Sequence, residues 1–85
     1  MPELELKLQS DFYFNEEIVT NILKFFWPKM DSKISIKKLI DGKSLYLRFN
    51  RSKEELKDMI EDLNRVGVKV MKRDRLDSYP ISNFY

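Results

Sequence analysis

The chain has neither cysteine nor histidine among its 85 residues. Without cysteine it can form no disulfide and no thiolate metal site, and this absence fits a reducing compartment. Acid–base and nucleophilic catalysis most often recruit histidine, cysteine or carboxylates tuned by burial, and the first two are missing. These absences argue against an enzyme and against a centre for a soft metal.

Glycine is also scarce, with only Gly42 and Gly67. One stands in an expected turn and the other at an expected helix end, so no glycine-rich phosphate loop is available. The carboxylate pairs Glu54-Glu55 and Glu61-Asp62 lie opposite the apolar stripe of a predicted helix, which indicates a solvated face. A Mg²⁺ contact through carboxylates stays open. We predict a non-enzymatic protein with no cofactor and no metal site.

Long apolar runs are missing as well. None approaches the ~20 residues needed to cross a bilayer. The acidic residues Glu3 and Glu5 are not typical of a signal peptide, so we expect a cytoplasmic protein with no membrane contact. Hydrophobic residues make up 42% and charged residues 35% of the chain, which indicates a globular domain. The net charge of +2 is too small to indicate a nucleic-acid partner by itself.

Apolar periodicity predicts most of the secondary structure. Leucines alternate with charged residues within 2–9, which predicts a half-buried strand over that range. Asn15 begins a helix that Pro28 ends, and a capping box at Ser52 begins a second helix that stops at Gly67. A last strand is predicted over 68–71.

Between the two helices the sequence predicts a β-hairpin over 33–50. Asp41-Gly42 separates two strand-like runs, which is a strong hairpin signal because both turn residues tolerate positive φ. The turn and the hydrophobic pattern give the same register. It pairs Ile34 with Phe49 and Ile36 with Leu47 on one face, and Ser35 with Arg48 and Lys37 with Tyr46 on the other.

The predicted order of elements is strand, helix, strand, strand, helix, strand. This order favours a ferredoxin-like α+β fold, with two helices on one face of a four-stranded antiparallel sheet. We assign residues 1–72 to this single domain and residues 73–85 to an aromatic C-terminal tail.

The open face of such a sheet would be mostly basic with one central ring. Cations can hold phosphates and an aromatic face can stack on a base, as in single-stranded RNA binding. Exposed strands also carry Lys, Arg and Tyr for solubility alone, and we weigh the two interpretations equally. The predicted nucleic-acid-binding residues are Lys7, Lys37, Tyr46, Arg48 and Lys69.

The segment GKSLYLRF resembles the third strand of the RNA-recognition motif. Tyr46 matches a central ring position, and Leu47 and Phe49 match core positions. Ser44 and Glu5 stand where that family carries further rings. The resemblance implies an RNA-binding sheet with a reduced stacking platform.

The order of LELKL, IVTNILKFFWPKMDSKISI, DGKSLYLRFN and SKEELKDMIEDLNRV, from Glu3 to Val66, resembles a second family. This is the small dimerising subunit of the KEOPS complex, which modifies tRNA. The chain departs from that family at Lys57 and at Glu61-Asp62. The resemblance implies a non-catalytic subunit that dimerises, docks a catalytic partner and contacts tRNA.

Aromatic residues outside the predicted sheet suggest protein partners. Phe25, Phe26 and Trp27 cannot all face the core from one helical turn, so at least one is expected at the surface or beneath the tail. The tail itself either folds back or is captured by another subunit. The alternative to an RNA-associated subunit is therefore a protein assembly or homodimerisation module, with Phe26, Trp27, Phe84 and Tyr85 as partner-binding residues.

Overall fold

The computed structural model describes residues 3–10 and 12–73, which form three strands and three helices. The strands make one antiparallel sheet in the order β2-β1-β3. In chain order the elements are β1 (Glu3–Leu8), α1 (Glu16–Phe26), α2 (Ser32–Ile40), β2 (Leu45–Arg48), α3 (Lys53–Arg65) and β3 (Val68–Arg73).

The predicted strand at the N-terminal end forms and becomes the centre of the sheet as β1. Its side chains alternate between the two faces, and Leu4 and Leu6 are fully buried. Leu4 pairs with Leu47 of β2, and Leu6 pairs with Leu45 of β2 and Val70 of β3. The apolar face of all three strands is covered by the helices, because α2 packs on β1 and β2, α3 packs on β3, and α1 packs on both helices.

The predicted hairpin over 33–50 is wrong, because its first strand is the helix α2. Asp31 caps this helix: its carboxylate accepts a hydrogen bond of 3.1 Å from the backbone N–H of Ile34. Ile36 and Leu39 are buried at helical spacing, whereas Ile34 and Ile40 are about half exposed. The isoleucines whose alternation indicated a strand thus lie on two different sides of a helix, with Ile36 buried and with Ile34 and Ile40 half exposed.

The Asp41-Gly42 pair ends α2 instead of turning a hairpin. Gly42 has a φ of +79°. Its N–H donates to the carbonyl of Leu39 at 3.0 Å, and the N–H of Lys43 donates to the carbonyl of Lys38 at 2.9 Å. These two bonds form a Schellman motif, which satisfies carbonyls left open at a helix end. The residue pair was expected to permit a positive φ, and Gly42 does adopt one, but at the C-terminal end of a helix and not in a hairpin turn.

The predicted four-stranded, two-helix ferredoxin-like arrangement is therefore wrong, although the α+β class is compatible with the structure. With α2 outside the sheet, β2 pairs with β1 alone and is an edge strand of the described sheet. Tyr46 lies opposite Glu5, and Lys37 is not on the sheet at all.

One core unites the described residues, which include nearly all of the domain predicted over 1–72. Arg73, which we assigned to the tail, belongs to β3. The rest of the predicted tail, 74–85, lies outside the described residues, and with it the predicted partner-binding residues Phe84 and Tyr85.

Gly67 joins α3 to β3 and brings this turn against the loop between β1 and α1. Its φ is +85°, and its carbonyl accepts hydrogen bonds from the N–H groups of Gln9 and Ser10. A Cβ at this position would lie 2.6 Å from the carbonyl oxygen of Ser10 and 3.0 Å from the backbone nitrogen of Phe14. Only glycine fits here, since both the conformation and the space exclude a side chain.

The two glycines allow backbone strain to be separated from steric exclusion. Gly42→Ala meets no atom within 4 Å, so we expect it to cost only the strain of positive φ, about 1–2 kcal/mol. Gly67→Ala adds a clash with backbone and should cost about 1–3 kcal/mol more. Urea unfolding of both variants measures the difference, and equal losses of stability would contradict the close approach at Gly67.

Candidate nucleic-acid interface

The open face of the sheet carries four of the five predicted nucleic-acid-binding residues. The register places Lys7 beside Lys69, and Tyr46 beside Glu5. The fifth, Lys37, lies on the exposed side of α2. Among the described strand residues, those on this face are Glu3, Glu5, Lys7, Tyr46, Arg48, Lys69, Met71 and Arg73.

Glu5 occupies the middle of this face and is only 6% exposed. The Ser44 hydroxyl donates to its carboxylate at 2.5 Å, and Arg73 donates through Nε at 2.9 Å and also through a terminal guanidinium nitrogen. Burial by itself would raise the pKa of the Glu5 carboxyl. The hydrogen bonds from Ser44 and Arg73, with the charges of Arg73 and Lys7, outweigh burial and hold this pKa below its ordinary value of 4.5.

Carboxylates thus offset part of the positive charge of the sheet face. Glu5 is paired with Arg73, and Glu3 lies 4.0 Å from the Nε of Arg48. Four basic side chains of the described strands share the face with two acids, and the one ring that these strands place there, Tyr46, is only partly exposed. This arrangement is a mixed-charge surface and a poor match to a basic stacking platform.

A groove with a different character opens at the C-terminal end of β2. Its volume is about 540 Å³. None of its described lining residues is acidic, and three are basic. We call this site the basic groove; its lining residues are Phe26, Trp27, Pro28, Lys29, Met30, Arg48, Asn50 and Arg51.

Trp27 forms a buried wall of the basic groove. It is 8% exposed, and its indole Nε1–H donates to the carbonyl oxygen of Arg48 at 2.8 Å. Its ring packs against the rings of Phe26 and Phe49, with centroids about 6 Å apart. Of the three consecutive rings, the one left at the surface is Phe25, which is 62% exposed.

Arg51 is held at the rim of the basic groove by several contacts. Its guanidinium lies 5.0 Å from the ring centre of Phe25 and 5.2 Å from that of Phe26, within cation–π range. It also donates to the carbonyl of Phe25 at 3.3 Å and to Glu55 at 3.4 Å. A planar cation is thereby positioned beside aromatic surface.

The basic groove combines residues that we predicted for two different roles. Phe26 and Trp27 were predicted to bind a protein partner, and Arg48 was predicted to bind RNA. Lys29 and Arg51 were missed, because each lies in a short connection next to a helix or strand boundary. The only signal in the sequence was position. Lys29 comes shortly after the aromatic residues Phe25, Phe26 and Trp27, and Arg51 comes shortly after the end of β2.

Comparison with protein-family models, curated proteins and solved structures found no match for this chain. The resemblances to the RNA-recognition motif and to the KEOPS subunit therefore stay predictions. Within residues 3–10 and 12–73, no helix is long and apolar enough to cross a membrane. The same residues contain no group of three or more carboxylate, histidine or cysteine side chains that could hold a metal ion.

The lowered pKa of Glu5 predicts a pH-dependent contribution to stability. Because the folded-state pKa lies below the ordinary 4.5, the ionised carboxylate stabilises the fold above that pH, and the contribution is lost as pH falls through the folded value. Glu5→Gln should therefore lower the free energy of unfolding by about 1–3 kcal/mol at neutral pH, and by less in acid.

Urea unfolding of the wild type and Glu5→Gln across an acid pH series measures this change. Glu61→Gln, on the exposed side of α3, is the matched control and should change stability little. A stability difference between Glu5→Gln and the wild type that stays constant with pH would contradict the role given to the carboxylate.

Proposed function

We propose that the chain is a non-enzymatic RNA-binding module, acting as a small subunit of a larger complex, and that an unpaired stretch of RNA lies in the basic groove. One observation carries this proposal. Three basic side chains, those of Lys29, Arg48 and Arg51, line the groove beside an aromatic wall, and none of the described lining residues is acidic. Glu3 lies 4.0 Å from Arg48 and Glu55 lies 3.4 Å from Arg51 at the margins of the groove.

The chemistry of the basic groove suits a nucleotide. Proteins that bind single-stranded nucleic acids combine a positive groove for the backbone with aromatic rings for the bases. Lys29 and Arg51 can contact phosphates, and the partly buried ring of Phe26 supplies apolar surface. A volume of about 540 Å³ falls within the ~300–1,000 Å³ typical of small-ligand sites, which is enough for one nucleotide unit.

The sheet face supports the proposal less well. RNA phosphates approaching Lys7 or Arg48 would also meet the carboxylates of Glu3 and Glu5, which repel them. Tyr46 lies opposite Glu5, whose carboxylate is bonded by Ser44 and Arg73, and it is only partly exposed. We therefore assign the main contact to the basic groove, with Arg48 as the predicted residue that belongs to both surfaces.

Trp27 provides a direct test, because it is the only tryptophan of the chain and forms part of the groove wall. A labelled tRNA titrated into the protein should change both the label's anisotropy and the Trp27 fluorescence. The affinity should fall with salt, and Arg51→Gln should lower the slope of log K against log salt by about 0.7, the value expected for one lost phosphate contact.

Two variants show which surface is used. Lys57→Gln removes an exposed cation from α3 and should leave the salt slope unchanged. Tyr46→Ala should leave the affinity nearly unchanged if RNA lies in the basic groove. Loss of binding in Tyr46→Ala, with normal binding in Arg51→Gln, would move the contact to the sheet face. No binding even at low salt would refute RNA binding by this chain.

A further inference from the structure

The side chains that line the basic groove differ in the hydrogen bonds they can make. The cationic residues Lys29, Arg48 and Arg51 only donate. The indole N–H of Trp27 already donates to a backbone carbonyl. Among the described lining residues, only Asn50 has a side chain that offers a strong donor and a strong acceptor together, because an amide carries both an NH₂ group and a carbonyl oxygen.

The Asn50 amide is available to a ligand. Its side chain is exposed and forms no hydrogen bond with any of residues 3–10 and 12–73. The guanidinium of Arg51, by contrast, already donates to Glu55 and to the carbonyl of Phe25. A base in the basic groove can therefore bond to the amide without displacing a described partner.

The backbone is fixed on both sides of Asn50. The carbonyl oxygen of Arg48 accepts from the Trp27 indole at 2.8 Å, and Phe49 is buried in the core at 1% exposure. On the other side, the Ser52 hydroxyl caps the start of α3. A recognition group that is already positioned loses less conformational freedom when a ligand binds.

We propose that Asn50 selects the base that enters the basic groove, and that the preferred base is adenine. This inference rests on the proposed RNA binding and names the RNA that the groove prefers. Phosphate contacts position a nucleic acid without distinguishing sequence, so Lys29 and Arg51 cannot supply this preference through phosphates. The amide of Asn50 can, because it contacts the edge of a base.

Adenine matches an amide better than the other bases do. An amide donates and accepts side by side, and adenine presents the complementary pair on both its Watson–Crick edge (N6–H with N1) and its Hoogsteen edge (N6–H with N7). The other three bases present such a pair on the Watson–Crick edge but not on the Hoogsteen edge. As a purine, adenine also has more ring surface than a pyrimidine to place against Phe26, a partly buried ring of the groove wall.

Anisotropy titrations with end-labelled oligoadenosine and oligouridine of equal length test the preference. The wild type should bind oligoadenosine at least about fivefold more tightly, the lower end of the discrimination expected from one bidentate contact. Asn50→Ala should lose most of this ratio, mainly through weaker binding of oligoadenosine. Asn64→Ala removes an exposed amide of α3 outside the groove, so it is the matched control and should keep the ratio of the wild type.

A change in the RNA separates base selection from a structural role of Asn50. Oligomers of purine riboside keep the purine ring but lack the N6 amino group, so the wild type should bind them at least about fivefold more weakly than oligoadenosine. Asn50→Ala should bind the two oligomers with similar affinity, because the amide that contacts N6 is gone. The same loss in Asn50→Ala as in the wild type would overturn the role of Asn50.

These titrations also distinguish failure of this inference from failure of the proposed function. Equal binding of oligoadenosine and oligouridine by the wild type, with an affinity that still falls with salt, would overturn base selection and leave RNA binding in place. No binding of either oligomer at low salt would refute both. Asn50→Ala should keep the circular dichroism spectrum of the wild type, because the side chain that it removes is exposed.

Discussion

Pairing of β1 with both other strands determines where every other element lies. Leu4 and Leu6 contribute one side of β1 to the core, and Glu5 points to the opposite side between Ser44 and Arg73. Both neighbours of β1 run antiparallel to it, so β2 and β3 finish at the same end of the sheet. There Glu3 lies opposite Arg48 on one side and opposite Arg73 on the other. The basic groove forms at this end, where the chain leaves β2.

Particular residues show how far the sequence predicts this fold. Strict alternation made β1 predictable, and the cap residues Asn15 and Ser52 marked the starts of α1 and α3, where their side chains accept the expected backbone hydrogen bonds. The segment 33–40 was misjudged because β-branched residues favour a strand. Asp31 and Gly42 are helix start and stop signals, but Asp41-Gly42 signals a hairpin equally well. Local sequence leaves this choice open, and burial of Ile36 and Leu39 decides it.

The candidate site was less predictable than the fold. Alternation correctly places Lys7, Tyr46, Arg48 and Lys69 on one sheet face, but it cannot show that Glu5 is buried there in an ion pair with Arg73. Lys29 and Arg51 are far apart in the chain but line the same groove, beside the hydrogen bond from Trp27 to the last residue of β2. Their placement depends on how the connections fold, which the periodicity of the sequence does not predict.

The indole hydrogen bond also bears on how the protein avoids aggregation. In the described sheet β2 is an edge strand of four residues, and such edges can recruit strands from other chains. Trp27 occupies the carbonyl of the last residue of β2 and covers that end with its ring. An incoming strand would find a short row of backbone groups at this edge, with the carbonyl of Arg48 already bonded. The side chain that lines the groove thus also makes the β2 edge less able to accept another strand.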